Sequence, residues 1–273
     1  MSTGLPDQIA PFIPLGEYLK CTSGTGHRSA KMAQTMPEKV NAQDRLIVAL
    51  DLESAQQARD MAAALDGVVT FFKIGLTLQL APGIEGLIRD LIKNHKRVFL
   101  DYKYYDIAAT LTKAVARAVD LGVSFLTLHG SSGCIQGAIK GRGTSDLKLF
   151  VVTVLTNMDK TDIDELGYTN QTVEQLVIHR AKKALEAGCD GVIASGQEAK
   201  SIKSLSGKIL VITPGIRPDG YPEDDQKRRT TPTDAILAGA DYLVIGRPIT
   251  DAPDPRKMAQ TILGEMQAAF DRQ

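Results

Sequence analysis

Cysteine is scarce in this chain: Cys21, Cys134 and Cys189 are its three, an odd number, widely spaced and without a CxxC pair. That spacing excludes a paired disulfide framework and, with only four histidines, offers no metal-type cluster. A reducing cytosol is the expected compartment. No apolar run approaches the roughly 20 residues that cross a bilayer, and the N-terminus lacks a charged start followed by an apolar stretch. No membrane partner is expected. Charge of one sign is not in excess either: Lys plus Arg and Asp plus Glu number 32 each. There is no global basic field for nucleic acid, and any anion site must be local.

What is present is a change of pattern at Arg45. Residues 1–44 mix Pro, Gly, Ser and Thr without a steady period, which reads as a flexible or loosely docked extension. From 45 to 273 short apolar runs alternate with longer amphipathic segments, the signature of βα units on a parallel sheet. Eight runs are predicted as strands: "RLIVAL" (45–50), "TFFKI" (70–74), "RVFLD" (97–101), "SFLTLH" (124–129), "KLFVVTVL" (148–155), "GVIAS" (191–195), "ILVITP" (209–214) and "YLVIG" (242–246). Helices are predicted at about 54–66, 82–94, 109–121, 133–140, 171–187, 197–205, 232–239 and 255–270. Gly in "LGVSF", "AGCDGV" and "AGADYL" supplies left-handed helix ends before the next strand. Eight such units most simply close into a single-domain (β/α)8 TIM barrel, an α/β fold. An open doubly wound sheet needs no such even count, and no GxGxxG follows the first strand.

A barrel builds its site at the C-terminal strand ends, and the polar residues collect there. Asp51 ends the first run, Lys73 the second, Asp101 and Lys103 the third, Thr156 the fifth and Ser195 the sixth. In "FLDYKYYDI" an acid and an amine two apart point to one face of an extended strand. With Lys73 on the neighbouring strand and Asp106 in the loop beyond, two cations and two anions are expected to alternate. An ammonium flanked by carboxylates has its pKa held up, so Lys103 is expected to stay protonated. The last two strands end in "PGIR" (Pro214 to Arg217) and "IGRP", with Gly246 and Arg247. Gly lets backbone approach an oxyanion and Arg makes a charge-assisted fork, so these loops favour a phosphorylated ligand. "PDGYPEDDQKRRTTP" follows Arg217 and is long beside the usual connection of about 2–6 residues. It reads as a lid in which Gln226 and Arg217 grip phosphate.

From Arg45 to about Phe270 the chain resembles the orotidine 5′-phosphate decarboxylases. "VALD", "FLDYKYYDI", "TVLTNM", "TPGIRPDG", "DQKRR" and "VIGRPIT" stand in that family's order at family-like intervals. The resemblance implies loss of CO2 from orotidine 5′-phosphate to give uridine 5′-phosphate, with no cofactor and no metal. It implies that Asp51 and Lys73 bind ribose, and that Lys73, Asp101, Lys103 and Asp106 form a charged tetrad. Thr156 and Ser195 would approach the pyrimidine, while Pro214, Arg217, Gln226, Gly246 and Arg247 would serve the phosphate end. It also implies a homodimer in which Asp106, Ile107 and Thr110 enter the partner's site. One departure stands out: "DIAAT" puts Ala108 and Ala109 where the family usually has Pro or Gly and then Asn. Two rival readings are a Mg²⁺-dependent sugar-phosphate enzyme of the same superfamily, which typically carries a further acid where Lys73 stands, and a non-catalytic nucleotide sensor, which would need no tetrad. His129 is expected to be structural, and Tyr104 and Tyr105 to pack at the dimer contact.

Overall fold

Both faces of a barrel strand are buried, one against the lumen and one against the helices, so apolar residues run nearly unbroken along it. The computed structural model describes residues 40–273, and residues 1–39 of the expected extension lie outside them. The strands are β1 (Leu46–Ala49), β2 (Phe71–Ile74), β3 (Arg97–Tyr104), β4 (Phe125–Leu128), β5 (Lys148–Val152), β6 (Gly191–Ile193), β7 (Leu210–Thr213) and β8 (Tyr242–Ile245). They pair in parallel in sequence order and β8 closes on β1. This is the (β/α)8 barrel expected from the sequence.

The helices are α1 (Ala55–Ala64), α2 (Ile84–Lys93), α3 (Ala108–Leu121), α4 (Ser132–Arg142), α5 (Lys160–Glu165), α6 (Val173–Glu186), α7 (Gly196–Lys203), α8 (Pro232–Leu237), α9 (Arg247–Thr250) and α10 (Pro255–Phe270). Two of them, α5 and α9, are additional to the expected eight. Each is too short to show a helical period, and α5 is set by a capping box between Asp159 and Asp162. Gly122, Gly188 and Gly239 take the expected left-handed conformation between helix and strand.

Residues 40–44, grouped by sequence with the extension, belong to the packed structure. Asn41 caps a short 3-10 turn at Ala42–Asp44. The Ala42 amide donates to Gln267 Oε1 at 3.0 Å, and Gln267 Nε2 donates to the Val40 carbonyl at 3.1 Å. A polar, aperiodic stretch is legible as a loop, but its docking on α10 depends on a partner 225 residues away.

The lumen is floored by aromatic rings. Phe71, Phe99, Phe125, Phe150 and Tyr242 point inward with Ile47 and Ile212. The Phe125 ring centre lies 4.8 Å from that of Phe71 and 4.7 Å from that of Phe150. With side chains alternating along a strand, the next inward positions above Phe71, Phe99 and Phe125 are Lys73, Asp101 and Thr127. An apolar floor thus carries a charged layer directly on top of it.

Candidate active site

At the mouth above that layer lies a cavity of about 660 Å³. On one side Asp51, Lys73, Asp101 and Lys103 line it. Lys73 Nζ is 2.8 Å from Asp51 Oδ1 and 3.5 Å from Asp101 Oδ2, and Lys103 Nζ is 2.9 Å from Asp101 Oδ1. Charge alternates along Asp51, Lys73, Asp101 and Lys103. Burial is the strongest influence on Asp101 and pushes its carboxyl up. Lys73, then Lys103 and a hydrogen bond from Thr127, outweigh it and hold the group below the usual aspartate value.

The strand geometry behind this pair differs from the simple alternation expected for "DYK". Leu100 pairs with Leu126 and Tyr104 with Leu128, so β3 carries extra residues against β4. Within that bulge Lys103 has φ +50°, a left-handed conformation that costs an L residue about 1–2 kcal/mol. The bulge, and not the pleat alone, aims Lys103 back at Asp101. Thr127 pins it: the Lys103 amide donates to Thr127 Oγ1 at 2.9 Å, and that hydroxyl donates to Asp101 Oδ1 at 3.0 Å. Thr127 is fully buried and was missed in the sequence, where only its inward register within "FLTL" marks it. Gly75 was missed too. A Cβ there would sit 2.7 Å from Asp51 Oδ1 and 2.8 Å from Lys73 Nζ, so this pair closes only over a glycine.

Opposite, Thr156, Pro214, Arg217, Gln226, Gly246 and Arg247 line the cavity. Thr156 Oγ1 donates to Gln226 Oε1 at 2.6 Å, which fastens the lid to the loop that follows β5. Arg217 donates from Nε and Nη2 to Asp224 Oδ2 at 2.8 and 2.5 Å. Arg247 Nη2 lies 3.3 Å from the same oxygen and is also paired with Asp225. Two guanidinium groups therefore converge on one carboxylate. Acids of the lid were not expected at this end, although "EDDQ" displays them.

The model of the orotidine 5′-phosphate decarboxylase / HUMPS family matches residues 44–262. The chain belongs to this family. It is 50% identical over 230 residues to the orotidine 5′-phosphate decarboxylase of Nitrobacter winogradskyi, covering 84% of this chain and 95% of that protein. To that of Rhodopseudomonas palustris it is 45% identical over 235 residues, 86% of this chain and 99% of the relative. A crystal structure of orotidine 5′-phosphate decarboxylase from Lactobacillus acidophilus superposes with TM-score 0.72 at 33% identity, over 81% of this chain and 98% of the other.

Four residues that the resemblance to the decarboxylase family singled out do not line this cavity. Ser195 is buried at the N-terminus of α7, where its Oγ accepts from the Gln197 amide at 3.2 Å and donates to the Arg228 carbonyl at 3.4 Å. A hydroxyl committed to a helix cap sits behind the wall. Asp106, Ile107 and Thr110 lie on an exposed edge beyond β3, and Asp106 Oδ1 accepts from the Ile107 amide at 2.6 Å. Within one chain the fourth member of the charge array is Asp51 and not Asp106. Among the described residues no helix is long and apolar enough to cross a membrane.

Proposed function

We propose that this chain is an orotidine 5′-phosphate decarboxylase, releasing CO2 to form uridine 5′-phosphate in pyrimidine biosynthesis in the cytoplasm, with no cofactor. The observation that carries the reading is the Lys103 amine held at 2.9 Å from Asp101 at a cavity whose far end converges two arginines on an anion. A nucleotide monophosphate spans such a cavity, its phosphate toward Arg217, Gln226, Gly246, Arg247 and Pro214 and its base toward Thr156. Asp51 and Lys73 stand where ribose hydroxyls would lie. Ser195 contributes by capping the wall behind the base.

In the reaction the C6–carboxylate bond breaks, CO2 leaves, and the electron pair stays on C6. Lys103 stabilises that carbanion as an ammonium and then gives it a proton, and solvent returns the proton to the amine. Asp101 lies beside the departing carboxylate, and its depressed pKa keeps it ionised there. The working unit is a homodimer in which Asp106, Ile107 and Thr110 complete the partner's site. Support for this is the exposed strip they occupy, with Tyr105 at 71% and Ile107 at 69% exposure, since large apolar side chains grouped on a surface mark contact sites.

Consumption of orotidine 5′-phosphate followed by ultraviolet absorbance tests the reading. The full chain is expected to turn the nucleotide over, and Lys103→Ala to lose at least the roughly 10²–10⁴-fold typical of a removed proton donor. Near-normal turnover by Lys103→Ala would remove the role given to that amine.

A further inference from the structure

Behind the cavity, and outside its lining, Arg228 and Glu198 form an ion pair with 8% and 5% of each residue exposed. Arg228 Nη1 donates to Glu198 Oε1 at 2.6 Å, and Nη2 donates to the carbonyls of Val154 and Leu155, each at 3.0 Å. The Arg228 amide donates to the Thr156 carbonyl at 3.2 Å. One residue of the lid therefore grips α7 and residues 154–156 of the loop that follows β5.

Stability alone does not explain such a pair. Burial is the strongest influence on Glu198 and pushes its carboxyl up, with the Arg228 charge opposing it. An ion pair so desolvated is often no more stable than apolar residues of similar volume. Its position is more informative. Gln226 lies two residues before Arg228, and Thr156 directly follows Leu155. Arg228 thus fixes two backbones at the separation at which Thr156 and Gln226 meet at 2.6 Å. On the β5 side, pairing with β6 runs to Val152 and the Thr153 amide donates to the Ile193 carbonyl at 3.1 Å, after which the loop to Thr156 is gripped by Arg228. The lid side is held at its base by the bridge between Ile216 and Thr230 and the Arg217 amide to the Thr230 carbonyl at 3.0 Å, and farther along by Arg228.

We propose that Arg228, oriented by Glu198, is a positioning residue that carries phosphate binding into catalysis by fixing Gln226 of the lid. This rests on the decarboxylase reading. Loosening the anchor frees the lid segment while leaving the charged layer on β2 and β3 in place, so the loss falls on the share of rate that depends on the phosphate. Binding energy from a remote group is useful only if the groups that grip it are held rigidly relative to the reacting centre.

The test compares kcat/KM for orotidine 5′-phosphate with that for orotidine, which lacks the phosphate, in Arg228→Lys and in Glu198→Gln. Lysine keeps the charge but cannot span three acceptors, and glutamine keeps the shape of Glu198 without its charge. The expected result is a loss of about tenfold or more with the phosphorylated substrate and less than about twofold with orotidine. An equal loss with both substrates, or no loss with either, overturns the inference and leaves the pair as packing. If the unaltered chain does not consume orotidine 5′-phosphate, it is the decarboxylase reading that fails.

Discussion

Thr127 shows how much a single buried hydroxyl can carry. It receives the Lys103 amide and donates to Asp101, so it fixes both the strained backbone under the amine and the orientation of the acid. Thr127→Val keeps the shape and leaves the Lys103 amide without this acceptor. A stability loss of about 1–3 kcal/mol is expected from the unsatisfied group, read by urea unfolding, together with a fall in kcat. The same change removes one of the bonds that depress Asp101. In the intact protein the Asp101 carboxyl is expected to titrate below the ordinary value of about 3.9, and carbon NMR of the carboxyl checks it. A carboxyl lowered on folding stabilises the native state above its unfolded pKa. That contribution is lost as pH falls through the lower, folded value. Thr127→Val should move the midpoint upward, and an unmoved midpoint would mean the hydroxyl is electrostatically idle. Gly75 sets a steric condition instead. Gly75→Ala places a methyl against the Asp51 and Lys73 contact and is expected to raise KM, the fold being retained.

At the scale of elements, the lid and the β7 and β8 loops form one electrostatic unit. Asp224 lies between Arg217 and Arg247, with side-chain exposures of 14%, 7% and 45%, and occupies the place proposed for a phosphate. Burial raises its carboxyl most strongly, but hydrogen bonds from Arg217 and the Gln226 amide, with the charges of both arginines, bring it below the ordinary range. The acid is therefore charged throughout the working pH range and competes with the ligand's phosphate. Asp224→Asn is expected to tighten inhibition by uridine 5′-phosphate by about two- to tenfold at low ionic strength, the gain shrinking as salt screens the arginines. Weaker inhibition would show that Asp224 orients the guanidiniums for the ligand instead of standing in for it.

Helix packing is a second element-scale constraint. Gly137 and Gly141 of α4 lie against Ala108 and Thr112 of α3, and Thr112 Oγ1 lies 2.9 Å from the carbonyl oxygens of both Ala108 and Gly137, its one O–H shared between them. The departure at Ala108 and Ala109 therefore falls on a helix start that sits against a neighbouring helix. An added Cβ at Gly137 would meet the Ala108 backbone.

For the whole molecule the test is whether sites are shared. In the proposed homodimer Lys103 and Asp106 of one site come from different chains. Lys103→Ala and Asp106→Ala are each expected to be inactive. Mixing them under conditions of subunit exchange should restore part of the turnover, because one class of heterodimer site receives both native residues. No recovery despite demonstrated exchange would place both residues in the site of a single chain.

The sequence by itself determined the periodicities, and with them the barrel: eight apolar runs, helix-ending glycines and polar strand termini follow from local chain geometry and from both strand faces being buried. It also displayed the residues along the cavity from Asp51 to Arg247, since barrel topology fixes which strand ends meet. Only the tertiary structure decided the contacts that join distant segments. The bulge that turns Lys103, the space left by Gly75, the seat of Asp224 between two arginines and the buried Arg228 and Glu198 pair are of this kind. Lys103 and Thr127 are 24 residues apart, and Thr156 and Gln226 are 70. Local pattern encodes which face of an element is buried. It does not encode which polar atoms find one another once that face is covered.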